Sequence, residues 1–330
     1  MAILVTGGAG YIGSHTGLAL RERGEEVVVL DNLSTGFEWA IPEGAELVVG
    51  DIANKDLVST IIQTRNITAI IHFAGSIVVP ESIEDPLGYY LNNTCKSRDL
   101  IACAVENDVK NFIFSSTAAV YGMPEVNPVT EDAVKAPISP YGTSKLMTEY
   151  MLKDTAFATD LNYVALRYFN VAGADPKGRT GQSTPKATHL IKVASEIIHG
   201  SRNEMSVFGT DYPTNDGSCI RDYIHVTDLA TAHCMALDHL KKGGESRVYN
   251  CGYGKGFSVL EVIDAVKRAS GQDFTVHMGD RRPGDPAELV AGSNLIRSEL
   301  GWSPEYDDLD TIVSHALAWE EKLNSLRKAS

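Results

Sequence analysis

Through the first third of the chain, short apolar-rich runs alternate with helix-length amphipathic stretches. Residues 2–6 (Ala-Ile-Leu-Val-Thr), 27–30 (Val-Val-Val-Leu), 46–49, 69–73 and 111–115 are such runs. An unbroken apolar run of this length reads as a strand buried on both faces, the kind found in parallel sheets. Separated by helices, these strands predict an α/β fold with a doubly wound parallel sheet of Rossmann type. Beyond about residue 169 the pattern gives way to mixed loops, helices and short strands, with a Gly/Thr/Pro-rich stretch over 175–188. We therefore expect a smaller mixed α/β C-terminal lobe that binds substrate. Residues 1–168 are assigned to the sheet domain, with 221–240 returning to it, and 169–330 mainly to the second lobe.

In such sheets ligands bind beyond the carboxyl ends of the strands, and here those ends carry chemistry. The first strand runs into Gly7-Gly8-Ala9-Gly10-Tyr11-Ile12-Gly13-Ser14-His15, followed by a helical pattern to Arg23. Glycines let the backbone turn tightly and approach a pyrophosphate, which then sits on free amides at a helix N-terminus. The run fits G-x-G-x-x-G from Gly8 and G-x-x-G-x-x-G from Gly7. The second strand ends at Asp31, whose carboxylate can accept from both adenosine ribose hydroxyls and would repel a 2′-phosphate, so the cofactor expected is NAD rather than NADP. Asp51, Phe73, Ala74, Gly75 and Thr117 fall at later strand ends, so separate segments converge on one crevice.

Ser139-Pro140-Tyr141-Gly142-Thr143-Ser144-Lys145 sets a tyrosine and a lysine four residues apart on a predicted helix. Residues at i and i+4 share a helical face, so the Lys145 ammonium is expected near the phenol, where it favours the phenolate and makes Tyr141 usable as a base. Thr117, Ser115 and Ser116 are hydroxyls at the strand end, any of which can instead bond neighbouring backbone. His15, His72 and His225 read as hydrogen-bonded core residues rather than rival bases.

Charge narrows the partners. The chain carries a net charge of −14 with lysines and arginines scattered singly, which leaves no basic stripe for a nucleic acid backbone. An acidic protein that binds an anion must rely on a few local cations; Arg221 and Arg282 are the candidates, since guanidinium forks match phosphate oxygens. The five cysteines at 95, 103, 219, 234 and 251 show no metal-ligand or C-x-x-C spacing, so reduced thiols and no metal site are expected. No apolar run approaches about 20 residues, and the first strand begins close to Met1, so we expect a soluble cytoplasmic protein without membrane contact.

The glycine run, the strand end Ser115-Ser116-Thr117-Ala118-Ala119-Val120-Tyr121-Gly122 and Tyr141-x-x-x-Lys145 together resemble the extended short-chain dehydrogenase/reductase family. Leu166-Arg167-Tyr168-Phe169-Asn170, Phe208-Gly209-Thr210-Asp211-Tyr212, Asp216-Gly217, Arg221-Asp222-Tyr223-Ile224-His225-Val226 and Arg281-Arg282-Pro283-Gly284-Asp285 look like its UDP-glucose 4-epimerase branch. The resemblance runs from Ile3 to the Gly301-Trp302-Ser303-Pro304 turn. It implies that Gly7, Gly10, Tyr11, Ile12 and Gly13 hold the NAD pyrophosphate. Asp31, Asn32, Leu33, Ser34, Thr35 and Gly36 would hold the adenosine ribose, and Asp51 with Ile52 the adenine. Phe73, Ala74, Gly75, Ser76, Asn92, Phe169, Thr117, Tyr141 and Lys145 would complete the cofactor site. Many members place a lysine where Ile77 stands, so one side-chain ion contact is missing.

For a UDP-sugar the resemblance implies contacts from Thr117, Tyr141, Asn170, His189, Leu190, Ser206, Phe208, Arg221, Arg282, Asp285 and Leu289. Phe208 would lie against the uracil, and His189 replaces the asparagine common in relatives. The implied activity is an isomerase of galactose metabolism that interconverts UDP-galactose and UDP-glucose through a transient 4-keto sugar. In it Tyr141 moves the hydroxyl proton, Thr117 bridges sugar oxygen and phenol, and Lys145 both lowers the phenol pKa and holds the nicotinamide ribose. Related dehydratases carry an Asp-Glu pair where Ala118-Ala119 stand, and elimination of water needs such an acid and base. Leu289 sits where a tyrosine restricts N-acetyl sugars, so partial tolerance of them is expected. A UDP-sugar epimerase specific for pentoses or N-acetylhexosamines, and a non-catalytic NAD-binding sensor, stay open as alternatives. Helices near 93–106 and 141–158 are expected to form a homodimer face.

Overall fold

A computed structural model describes every residue except 186, 283 and 330; Pro283 of the arginine-rich run thus lies outside the described residues. The first lobe runs β1 (Ala2–Thr6), α1 (Tyr11–Glu22), β2 (Glu26–Asp31), β3 (Glu46–Val49), α2 (Lys55–Thr64), β4 (Ile67–His72), α3 (Val79–Glu84), α4 (Pro86–Tyr89), α5 (Lys96–Glu106), β5 (Asn111–Ser115), α6 (Pro140–Ala158) and β6 (Asn162–Tyr168). Then follow β7 (Asn170–Ala172), α7 (Leu190–Ile198), β8 (Glu204–Phe208), β9 (Ile220–His225), α8 (Val226–Lys241), β10 (Arg247–Cys251), β11 (Gly256–Ser258), α9 (Val259–Ser270), β12 (Thr275–Gly279), β13 (Glu288–Leu289), α10 (Asn294–Leu300) and α11 (Leu309–Ala329).

The main sheet has seven parallel strands in the order β10-β6-β5-β4-β1-β2-β3. Its direction of winding reverses between β1 and β4, the switch point at which ligands collect. Alternate residues of each strand serve opposite faces. Ile3, Val5, Val29 and Ile71 pack with Leu229 and Leu237 of α8 and Leu20 of α1 on one side. Leu4, Leu30, Ile70 and Phe112 pack with Val58, Leu100 and Leu152 on the other. This double burial is why the strands read as unbroken apolar runs.

The second lobe joins β7, β9, β11 and β13 in one small sheet and β8 with β12 in another. Its core is Ile191, Ala194, Val262, Val266, Ile312 and Val313, from α7, α9 and α11. The return to the first lobe differs from the expected 221–240. Residues 220–225 form β9 inside the small sheet, while α8 packs beside α1 and β10 adds the seventh strand to the main sheet, so the returning stretch is 226–251. β10 hid from the pattern because only its last three residues are buried.

A second feature without a sequence signal is the π-helical turn Tyr90–Cys95 between α4 and α5. Such turns insert one residue into a helix and re-aim the side chains around it. Here it directs Asn92 and Asn93 at the loop after β4. All five cysteines are free; Cys95 is exposed and the others are buried. Among the described residues no helix is long and apolar enough to cross a membrane.

Asp228, buried in the first turn of α8, ties the returning stretch to the C-terminal segment. Its carboxylate accepts from the backbone N–H of Glu305 at 2.8 Å, the N–H of Tyr306 at 2.9 Å and the Tyr253 hydroxyl at 2.6 Å. Removing a buried acceptor strands its donors, at about 1–3 kcal/mol each. Asp228→Ala is expected to lower the unfolding free energy by about 3 kcal/mol in urea denaturation, and Asp228→Asn by clearly less. A loss below about 1 kcal/mol for the alanine variant would show that the 302–306 turn is held by other contacts.

Candidate active site

A continuous cleft of about 1690 Å³ opens along the carboxyl ends of β1, β2, β4 and β5 and extends into the second lobe as far as Phe208 and Arg282. Every residue singled out from the sequence for cofactor or substrate lines it except Leu33 and Gly36. Those two act one step behind the surface. The Leu33 backbone, at φ +57°, donates its N–H to Asp31 Oδ1 at 2.8 Å. Gly36 packs so tightly on Ala9 that a Cβ there would come within 2.7 Å of the Ala9 methyl.

At the β1 end the glycines are required by sterics. Gly7 has φ +70° and a Cβ on it would lie 2.5 Å from the Ala74 nitrogen; one on Gly13 would lie 2.3 Å from the Gly7 carbonyl oxygen. This close approach lets α1 begin directly over the strand end. Gly10 caps α1 with no side-chain acceptor and the first turn holds no acid, so its free N–H groups and the positive end of the helix dipole face the cleft. The Tyr11 hydroxyl is committed to the Gly173 carbonyl at 2.6 Å, which leaves Tyr11 only its backbone for a phosphate. Asp31 Oδ2 accepts from the Ala9 N–H at 2.9 Å; the two backbone bonds fix the carboxylate at the cleft wall. Asp51 is paired with Lys96 at 2.5 Å.

The reactive cluster joins the end of β5 to the start of α6. Ser139 caps α6 by accepting from the Gly142 N–H, with Pro140 in the first turn, the usual arrangement for a sharp helix start. This places Tyr141 and Lys145 on the buried face. Thr117 Oγ1 accepts from the Ala119 N–H at 3.1 Å, and the same hydroxyl stands beside the Tyr141 phenol. The expected partner of the phenol was Lys145, but its Nζ donates instead to the Ser115 carbonyl at 2.9 Å and lies 5.0 Å above the Phe114 ring. Burial pushes the Tyr141 phenol above its ordinary value, and the Thr117 hydroxyl is the group that opposes this. Burial also draws the Lys145 ammonium down to about 8. The group that offsets burial at the phenol is thus the Thr117 hydroxyl and not the lysine.

The other hydroxyls and imidazoles are occupied. Ser115 Oγ bonds the Tyr168 hydroxyl and Ser116 Oγ donates to Glu149. His15 and His72 are buried and held down to about 4 and about 3, His72 between Thr6 and Ser97, His15 on the Tyr11 carbonyl. His225, also drawn by burial to about 3, caps α8 and bonds His315. None of them has the access of a general base.

At the far end Arg221 pairs with Asp285 at 2.7 Å, and the Arg282 guanidinium lies 3.8 Å over the Phe208 ring. His189, the cap of α7, takes Gln182 at 2.8 Å. Asn170 faces Tyr223 in the β7–β9 pairing, Leu190 and Ser206 line the wall, and Leu289 packs against the Phe169 cluster beside Ala118.

The sequence of residues 3–252 matches the family described as the NAD dependent epimerase/dehydratase family. The chain belongs to that family. It is 55% identical over 321 residues to a UDP-glucose 4-epimerase of Azospirillum brasilense, covering 97% of this chain and 92% of that one. Among solved structures it is similar to the UDP-glucose 4-epimerase of Brucella ovis in complex with NAD, at TM-score 0.94 and 44% identity over 96% of this chain and 97% of that one. It is also similar to the UDP-Glc/GlcNAc 4-epimerase of Campylobacter jejuni, at TM-score 0.86 and 47% identity over 97% and 99%.

The residues present fit the NAD on which this epimerase/dehydratase family depends. An uncapped helix end suits the pyrophosphate, a fixed carboxylate with free lone pairs suits a ribose diol, and no arginine or lysine stands in the 31–36 segment for a 2′-phosphate. Sequence reasoning missed Lys96, Asn93, Tyr168 and the Glu149–Arg167 pair. Asn93 braces the loop after β4, with Oδ1 accepting from the Ser76 N–H at 2.7 Å and Nδ2 donating to the Ser76 carbonyl at 3.0 Å. Only Ser139, a serine directly before a proline and a helix, carried a local signal that went unused.

Lys145 gives the site a pH dependence. An exposed lysine titrates at 10.5 and this one near 8, so its charge is present below pH 8 and lost above. By linkage, the cost of burying the ammonium acts below pH 8 and is relieved as pH rises from 8 towards 10.5. NAD retention, read by equilibrium dialysis, is expected to weaken above about pH 8 in the wild type and to be weak and flat with pH in Lys145→Met. A flat profile in the wild type would show that this ammonium does not hold the cofactor.

Proposed function

We propose that the chain is a UDP-glucose 4-epimerase that interconverts UDP-galactose and UDP-glucose. The observation that carries this reading is the gathering of Thr117, Tyr141 and Lys145 midway along one cleft whose ends suit a dinucleotide and a nucleotide diphosphate. Residues 1–168 with 226–251 hold NAD, and the remainder of the second lobe holds the UDP-sugar. Like its relatives' substrates, the ligand is a UDP-sugar; we place the reaction in the cytoplasm.

Inverting a carbon that bears a hydroxyl requires loss of its configuration, which oxidation to a ketone achieves. NAD, when bound, supplies a place for the C4 hydride and returns it. Tyr141, as the phenolate, takes the proton of the 4-hydroxyl and later gives it back, so it ends as the phenolate it began as. Thr117 orients that hydroxyl towards the phenol. Lys145 favours the anionic oxygen and offers donors to the nicotinamide ribose. Arg221 and Arg282 take the pyrophosphate, and Phe208 the uracil face. Alanines at 118 and 119, in the short helix after Thr117, offer no acid or base for elimination, which disfavours a dehydratase.

Leu289 supports a second, wider substrate range. It is shorter than the tyrosine that closes this pocket in restrictive relatives, and the similar Campylobacter protein is named for both UDP-Glc and GlcNAc. Leu91, Met147 and Tyr150, exposed on the π-turn and α6, support a homodimer through these helices. We expect the purified protein to sediment as a dimer.

Incubated with UDP-galactose and no added cofactor, the protein should form UDP-glucose by chromatography without net NADH absorbance, and Tyr141→Phe should lose about 10²-fold or more of the turnover. Retention of full function by Tyr141→Phe would favour an NAD-binding sensor instead. UDP-N-acetylgalactosamine should also be turned over, and Leu289→Tyr should cut that rate at least about tenfold relative to UDP-galactose. Complete failure of the wild type on the N-acetyl sugar would refute the wider range.

A further inference from the structure

We propose that Ser116, Glu149 and Arg167 form a positioning unit that holds the Thr117 hydroxyl against the Tyr141 phenol. The proposal rests on the epimerase reading above and adds residues to it that touch neither substrate nor cofactor. Three consecutive residues at the end of β5 each meet one face of α6, at positions 141, 145 and 149. Such positions lie one above another on a helix. Thr117 stands beside Tyr141, the Ser115 carbonyl takes the Lys145 ammonium, and Ser116 Oγ donates to Glu149 Oε1 at 2.5 Å. The Ser116 rung is the only one of the three with no face on the cleft; its residue is fully buried.

Glu149 is itself immobilised. Arg167 of β6 meets it with two parallel bonds, Nε to Oε1 at 2.9 Å and Nη2 to Oε2 at 2.5 Å, and both side chains are about 95% buried. The third guanidinium nitrogen donates to the Tyr121 hydroxyl at 2.9 Å and the Glu131 carbonyl at 3.2 Å, and the Tyr121 hydroxyl in turn donates a hydrogen bond to Asn250 Oδ1 at 2.6 Å. A bidentate pair of this kind has a fixed plane. It therefore sets the height of Ser116, and through one peptide bond that of Thr117. Buried ion pairs add little net stability compared with apolar packing, so a geometric role accounts for this one better than a stabilising role does.

Ser116→Ala removes the rung and leaves the Glu149–Arg167 charges paired. Its expected effects are a kcat about tenfold lower, a KM for UDP-galactose within about twofold of wild type, and an acid limb of the pH–kcat profile moved upward. The ionised phenol acts on Tyr89 and Tyr168 from the neighbouring elements, and Lys145 shares its helix face; the variant retains all three. A readout independent of turnover is the tyrosinate absorbance of the holoprotein, taken as the difference from a Tyr141→Phe partner. In the Ser116→Ala background this titration should shift up by about half a pH unit or more. A double variant, Glu149→Leu with Arg167→Met, removes the charges together and should fold while reproducing both shifts. Unchanged kcat and phenol titration in Ser116→Ala, with only a lower melting temperature, would overturn the proposal. If the wild type turns over no UDP-sugar the epimerase reading falls, and the phenol titration still decides the positioning unit.

Discussion

The contact on which the site depends is the seating of α6 against the end of β5. It is possible only because residue 142 is a glycine: a Cβ there would lie 2.6 Å from the Ala119 carbonyl oxygen. With the helix this close, Tyr141 reaches Thr117 and Lys145 reaches the Ser115 carbonyl. The closeness has an electrostatic cost, since an ammonium taken out of water keeps one carbonyl and an aromatic face as protein partners. That cost is what draws Lys145 down to about 8.

Much of the sheet was legible in the sequence because double burial keeps the middle of a strand apolar, and β1, β2, β4 and β5 announced themselves in this way, while the exposed edge strand β3 showed through its Leu-Val-Val run. The glycine turn, Asp31 and the Tyr141–Lys145 pair were legible because each is a local requirement: a turn, a strand end, a helix face. Interactions set by tertiary contact were not. Lys96 with Asp51 and Arg167 with Glu149 join residues 45 and 18 positions apart, and nothing in their neighbourhoods marks them. The π-turn at 90–95 has no composition of its own, and β10, half exposed, lacks the apolar run. Even for Lys145 the spacing identified the shared face but not the acceptor, because a long side chain on that face can choose between a phenol and a carbonyl.

The acidity of the chain sharpens the question of how an anionic substrate is held. At physiological salt the screening length is about 8 Å, so carboxylates farther off than this contribute little repulsion at the site. What matters is the immediate shell, and there each cation is already engaged: Arg221 by Asp285, Arg282 by the Phe208 ring. Holding guanidinium groups in place before the ligand arrives lowers the side-chain entropy lost on binding. It also fixes the exchange that must occur, because a pyrophosphate that takes Arg221 must share it with the Asp285 carboxylate, and an aromatic base that takes Phe208 must meet or displace Arg282. Binding at this end is therefore a rearrangement among residues already in contact, while at the other end an uncapped helix and a fixed carboxylate receive NAD with little movement. The difference is what a chain that keeps its cofactor and exchanges its sugar nucleotide at each turnover requires.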